Sequence, residues 1–203
     1  MAKLYFYYSA MNAGKSSSLL QSSYNYQERG MDTLLLLPVV GSRYEESSVV
    51  SRIGLRAAAT TFHADDDLRA LVLNYNAIRH TLRCVLVDEA QFLTKQQVWE
   101  LAYLADNSGI PVLTYGLRSD FLGEPFEGSK YLLALADEVV ELKTICHCGR
   151  KATMNLRIDE FGRPVRSGAQ VLIGGNDRYV AVCRRHFCEG VVSSFERRNR
   201  WSC

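Results

Sequence analysis

No stretch of this chain approaches the about 18 consecutive apolar residues that a membrane-spanning helix needs, so no bilayer span is expected. A signal-peptide pattern is missing as well, because the apolar run after Lys3 is short and aromatic before a polar loop interrupts it, and the expected location is the cytoplasm. Charge of one sign is lacking: 24 Lys and Arg stand against 22 Asp and Glu, a net +2. That balance gives no global field for a nucleic-acid backbone, so partners must be read from sites. There is no internal repeat and no low-complexity run. What is present is ordinary globular composition, 47% hydrophobic and 23% charged over 203 residues, enough for one full core and a small appendage. Six cysteines in such a chain read as reduced thiols or metal ligands rather than a disulfide framework.

The first 145 residues or so alternate short β-like runs with helical stretches. Strands are expected at Leu4-Tyr8, Thr33-Leu37, Cys84-Val87, Pro111-Leu117 and Val139-Leu142. Helices are expected near Lys15-Arg29, Asp66-Arg79, Thr94-Asp106 and Ser129-Ala136. Thr94 with Gln97 has the spacing of a capping box ahead of Val98, Leu101 and Leu104. Alternation of this kind, with near-continuous apolar strands, predicts an α/β fold whose parallel sheet is covered on both faces. After Thr144 turn residues become dense and no long helix fits. The predicted organisation is an α/β domain over 1–144, a small lobe over 145–190, and a charged tail over 191–203.

Against the phosphate-loop pattern G-x-x-x-x-G-K-[ST], the chain offers Ser9-Ala10-Met11-Asn12-Ala13-Gly14-Lys15-Ser16, with only the first glycine missing. A strand turning through small residues into a helix gathers backbone N–H groups and a helix N-terminus around one point, which attracts phosphate oxygens. Lys15 would reach the outer phosphates and Ser16 would ligate Mg²⁺. Ser9 is tolerable if its φ stays negative, since glycine is obligatory only where φ is positive or a side chain collides.

Cys84-Val85-Leu86-Val87-Asp88-Glu89-Ala90-Gln91-Phe92 is an apolar strand ending in two acids. Phosphate-loop proteins use this arrangement to bring a carboxylate to Mg²⁺ at the carboxyl edge of the sheet, a role that fits Asp88. Glu89 can act as base on the nucleophile. ATPases use the same pair with Glu orienting water, so these two motifs leave the acceptor open. In the small lobe, Cys146-x-Cys148 and Cys183-x-x-His186 form two close pairs, which suit a closed tetrahedral Zn²⁺ site of structural type. Zinc there would clamp the ends of the loop carrying Gln170 to Gly175. His147, Cys188, Cys84 and Cys203 have no such pairing and read as a loop histidine, accessory thiols and core filling.

Together these residues resemble the thymidine kinases of the small, zinc-containing type. The likeness runs from Lys3 to about Phe187 and is nearest the enterobacterial members, through SAMNAGKS, QSSYNYQERGM, VSRIGL, CVLVDEAQFLT, YGLRSDF, ELKTIC, CGRKA, IGGNDRY and VCRRH. It implies a P-loop NTPase-like (RecA-like) sheet flanked by helices, with a zinc-binding lobe carrying a lasso loop. Ser9 to Ser16 would then hold ATP together with the stretch Asp88, Glu89, Ala90 and Gln91, and relatives of this kind also carry Ser at the first loop position. Asp88 would support Mg²⁺ and Glu89 would take the proton of the thymidine 5′-hydroxyl. Phe121 would stack on thymine, the backbone of Gln170, Val171, Leu172, Ile173 and Gly174 would read the pyrimidine edge, and Tyr179 would lie beside the nucleoside.

The family's Asp-x-Arg after the second strand appears here as Gly41-Ser42-Arg43, with the phosphate-directed Arg43 kept and the acid lost. This loss implies either weakened metal or phosphate positioning or replacement of the acid by Glu45 or Glu46. The resemblance further implies a homotetramer with thymidine triphosphate as feedback inhibitor, and the small net charge predicts no nucleic-acid partner. Two other classes fit parts of the pattern: a phosphate-loop ATPase with water as acceptor, and a zinc-bearing nucleic-acid module suggested by Arg184-Arg185.

Overall fold

The computed structural model describes residues 1–40, 47–170 and 178–192. Two compact units emerge. The first comprises Met1–Ser9, Ala13–Arg118 and Pro125–Leu142; the second comprises Ala10–Asn12, Ser119–Glu124 and the chain from Lys143 on.

In the first unit, β1 (Leu4–Ser9), β2 (Asp32–Pro38), β5 (Thr60–Phe62), β6 (Leu82–Val87), β7 (Val112–Leu117) and β8 (Glu138–Glu141) form one sheet in the order β5-β2-β6-β7-β1-β8. Every pairing in it is parallel. Period-two alternation divides the inner strands between two cores, while the edge strand β8 is largely exposed. Leu4, Phe6, Leu34, Leu36, Val85 and Val87 face one cluster with residues of α2 (Leu68–Arg79), α3 (Lys95–Ser108) and α4 (Glu127–Leu135). Leu35, Cys84, Leu86, Leu113 and Tyr115 face the other, with Leu19 and Leu20 of α1 (Lys15–Gln27). Coverage on both sides explains why the strands read as continuous apolar runs rather than alternating ones.

The predicted elements are present with ends shifted by one or two residues. Thr94 closes the capping box, accepting from the Gln97 N–H at 3.2 Å while Gln97 Oε1 accepts from the Thr94 N–H. Asp67 rather than Asp66 starts α2, its carboxylate accepting from the Ala70 N–H at 2.8 Å. Cys84 is fully buried and fills the α1-side core, as expected, and burial pushes its thiol up to about 12. The sequence pattern gives no sign of β3 (Ser48–Val50), β4 (Arg56–Ala58) and β5, each three residues long and too short to show a period.

The second unit contains β9 (Thr144–Ile145) paired with β10 (Lys151–Ala152), the antiparallel ribbon of β11 (Met154–Arg157) and β12 (Tyr179–Val182), and the six-residue α5 (Arg184–Glu189). The chain from Ile158 to Pro164 doubles back through the Phe161-Gly162 turn, joined by an isolated bridge.

A close approach fixes the turn after β6. A Cβ on Gly128 would lie 2.4 Å from the Ala90 carbonyl oxygen and 2.9 Å from that of Leu93. Gly→Ala at an open helical position gains about 1 kcal/mol, whereas overpacking against backbone costs about 1–3 kcal/mol. Gly128→Ala is therefore expected to destabilise, seen as a lower urea midpoint at unchanged m-value; a raised midpoint would show that α4 does not press on this turn.

Candidate functional site

The phosphate-loop sequence turns at residues whose backbone explains their identity. Gly14 begins α1 with φ 80°, a conformation that penalises any side chain, and no side chain caps the helix. α2 and α3 have side-chain caps, whereas α4 and α5, like α1, do not. The first-turn N–H groups of α1 thus have the arrangement that receives an anion. Asn12 also has positive φ, at 65°, and Ser9 is not among the non-glycine residues that do. The missing glycine at position 9 therefore costs no strain. Instead, the Ser9 hydroxyl accepts from Lys15 Nζ at 3.0 Å.

The Ser16 hydroxyl donates to Asp88 Oδ2 at 2.8 Å across a separation of 72 residues. This bond joins the start of α1 to the acid pair after β6. Asp88 is buried, and loss of water raises its carboxyl to about 6; the neighbouring Glu89 charge adds to this, and the Ser16 hydroxyl pulls back. Desolvation draws Lys15 below the usual lysine range, against the pull of Glu89 and Asp88. A partly buried cation, two acids and a row of helix amides thus meet at one sheet edge.

Glu89 has φ 51° and ψ 35°, a left-handed backbone uncommon for a residue of its kind. Its N–H donates to Asp88 Oδ1 at 3.0 Å. Gln91, expected among the ATP contacts, is only 2% exposed and its amide is engaged at both ends. Its Nε2 donates to Glu89 Oε2, and its Oε1 accepts from the Leu117 N–H at 3.0 Å. Gln91 thereby ties the Glu89 carboxylate to β7. Ala90 is fully buried beside it.

In the second unit, Phe121 is 1% exposed and the Arg157 guanidinium lies over its ring, 4.9 Å from the centroid. Tyr179 is half-buried, and Gln170 Nε2 donates to Asp120 Oδ2 at 3.0 Å. Asn155, which sequence reasoning did not single out, is buried. It accepts from the Met11 N–H at 2.8 Å and donates to the Ser119 carbonyl at 3.2 Å. The Met11 N–H is therefore directed at Asn155. Only a spacing of 144 residues marks that bond, so no local sequence signal could have found it. Arg43, with Gly41, Glu45 and Glu46, and the segment Val171, Leu172, Ile173 and Gly174 lie outside the described residues.

Cys146, Cys148, Cys183 and His186 bring one donor atom each within 4.8 Å of one another. Cys148 and Cys183 sulfurs are 3.9 Å apart, and Cys146 Sγ is 3.3 Å from His186 Nδ1. A tetrahedral ion with metal–sulfur bonds of about 2.3 Å would separate its sulfur ligands by about 3.8 Å, so the donors fit a closed site. The His147 ring stacks on His186, centroids 4.3 Å apart, outside this donor set. Burial raises the Cys146 thiol, whereas the His186 backbone N–H lowers that of Cys183.

The sequence profile described as thymidine kinase matches residues 2–187. A thymidine kinase of Coxiella burnetii is 62% identical over 187 residues, covering 92% of this chain and 95% of the relative. One from Legionella pneumophila strain Paris is 57% identical, covering 98% and 96%. One from Novosphingobium aromaticivorans is 60% identical, covering 94% and 99%.

The four-donor geometry carries a direct expectation. Protein purified without chelator should hold about one tightly bound metal ion per chain, and Cys183→Ser should lose it together with thermal stability. Mass-spectrometric metal analysis and a melting curve measure both, and equal metal content in the two proteins would remove the cluster as a site.

Proposed function

We propose that this chain, which belongs to the thymidine kinase family and is an ATP-dependent nucleoside kinase, moves the γ-phosphate of ATP to the 5′-hydroxyl of thymidine. The products are thymidine monophosphate and ADP, and deoxyuridine is a second acceptor. The observation that carries this reading is the 2.8 Å bond from Ser16 to Asp88, which unites an anion-receiving helix start with an acid pair.

In-line phosphoryl transfer asks the protein for positioning and charge neutralisation more than for covalent chemistry. The loop Ser9 to Ser16 holds the phosphates by its amides other than that of Met11, which Asn155 engages, and Lys15 balances the charge that develops on the transferred group. Lys15 rests on Ser9 until then. Ser16 and Asp88 would hold Mg²⁺, which when bound neutralises phosphate charge. The raised pKa of Asp88 supports this role, since a nearby cation offsets the cost of a buried carboxylate.

Glu89 orients the 5′-hydroxyl and accepts its proton. Support comes from its strained backbone, which aims the carboxylate, and from Gln91, which fixes one of its oxygens. Phe121, the backbone of 170–174 and Tyr179 read the base, as the resemblance implies. An enclosed pyrimidine is distinguished by unmet polar groups in the wrong ligand, each costing about 1–3 kcal/mol.

Zinc is the metal proposed for the Cys146, Cys148, Cys183 and His186 cluster, in a structural role supported by four protein donors with no position left for substrate. The nearness to enterobacterial members rests on motif wording alone. Assembly as a homotetramer and inhibition by thymidine triphosphate are carried from the resemblance. Cytoplasmic location is supported by the free cysteines, and no helix of the described residues is long and apolar enough to cross a membrane.

Two substitutions test the chemistry. Glu89→Gln should keep ATP and thymidine binding while lowering thymidine-dependent ADP release by ~10²-fold or more; near-normal turnover would refute its role as base. Gln91→Leu should lower kcat by about 10-fold or more with little change in KM for ATP, because it frees Glu89 without touching the phosphates. A raised ATP KM with normal kcat would return Gln91 to the nucleotide contacts. ADP release independent of thymidine would favour water as acceptor.

A further inference from the structure

The β11–β12 ribbon has two unlike faces. Register pairs Leu156 with Val180 and Met154 with Val182, and these side chains pack with Cys146, Cys183 and Phe187. The alternate positions on β11 are Asn155 and Arg157, and Arg157 stands directly opposite Tyr179. Side chains of directly opposed residues project from the same face of an antiparallel pair. The second face carries Asn155, Arg157 and Tyr179 beside Ala181, and both of its β11 side chains are buried: Asn155 is 3% exposed and Arg157 8%.

A buried guanidinium is costly unless its donors and charge are met. Arg157 Nη1 donates to the Ala169 carbonyl at 3.2 Å, and the plane of positive charge lies over Phe121. The ring face is the negative end of the aromatic quadrupole, so this placement fixes Phe121 while charge and ring stabilise each other. Asp120 reinforces the same junction. Its Oδ1 accepts from the N–H groups of Leu122 and Glu124 at 2.8 and 2.9 Å, which closes the loop around Phe121. Its Oδ2 accepts from Gln170. The Arg157 side chain thus touches the Phe121 ring, faces Tyr179 in register, and anchors the residue next to Gln170.

We propose that Arg157 is a positioning residue of the nucleoside site, holding the Phe121 ring and the Ala169 carbonyl beside Gln170. The inference rests on the functional reading above. Arg157 acts through Phe121 and Ala169 rather than through the reacting atoms. Its loss therefore loosens nucleoside recognition and leaves phosphate handling intact. A lysine keeps the charge but not the planar fork that covers a ring and donates to a carbonyl together.

Steady-state kinetics with thymidine and ATP on the full chain, with parent protein alongside, test this. Arg157→Met is expected to raise the thymidine KM by about tenfold or more, with kcat within about threefold and the ATP KM unchanged; Arg157→Lys recovers only part of the loss. Combined with Phe121→Leu, Arg157→Lys should be non-additive in thymidine KM, since both changes act on one contact. A parental thymidine KM in Arg157→Met, or an ATP KM that rises in the same proportion, overturns the proposal. If Arg157→Met does not fold, Arg157→Lys decides, a thymidine KM equal to the parent's or strict additivity with Phe121→Leu being the overturning result. A parent chain inactive on thymidine overturns the functional reading and this role with it, whereas a thymidine-active parent with unmoved variants removes Arg157 alone.

Discussion

The parallel run of every strand in the first unit's sheet is the constraint that brings Ser16 within hydrogen-bond reach of Asp88. The partners of that bond lie just past β1 and β6, which are not neighbours in the sheet, because β7 lies between them. They meet because every strand of the sheet runs the same way, so each loop after a strand emerges at one edge. An antiparallel strand at either place would send its loop to the far side. The wholly parallel pairing, made possible by helices on both faces, is therefore a condition of the chemistry as well as of the fold.

The helix that delivers Ser16 is unusual for one that packs on a sheet. Among its 13 residues only Leu19, Leu20 and Ser23 are buried. Apolar burial is thus a weak anchor for α1, and hydroxyl contacts supplement it. Ser22 meets Tyr115 at 3.2 Å, and Ser23 meets Thr33 at 2.7 Å. Tyr7 and Tyr115 stack beneath, with centroids 4.7 Å apart and planes 10° from parallel. Such polar contacts are directional, so they specify where the helix lies even though each adds only about 1 kcal/mol to stability. Ser22 and Ser23, beyond the phosphate-loop end of the helix, belong to this fitted interface.

The α/β class, the loop at 9–16, the acid pair and the Thr94 cap were legible because each is a local pattern with a mechanical reason. An apolar strand must end somewhere, and the residues just past its end stand at a sheet edge. The jobs of Gln91, Asn155 and Arg157 were not legible, for one shared reason. Each acts through a backbone atom remote in sequence, at Leu117, Met11 and Ala169 respectively. A carbonyl or N–H has no residue identity, so the sequence holds no trace of such a partner. Gln91 shows the consequence: the resemblance implies an ATP contact, and nothing local signals that its amide bonds both Glu89 and the Leu117 N–H.

The second unit shows how little apolar material supports a precise polar face. Among the described residues its apolar cluster is Cys146, Ala152, Leu156, Val180, Val182, Cys183 and Phe187, with a few partly buried neighbours. Small cores of this size seldom hold a fold without a staple. Two of those residues are donors of the four-atom cluster, so the core and the metal site share their atoms. A bound ion would therefore stabilise β11 and β12 from the apolar side, and register would transmit that order to Asn155, Arg157 and Tyr179 on the other. An ion held there would act on the ribbon without touching its polar face, and Arg157 covers the Phe121 ring from that face.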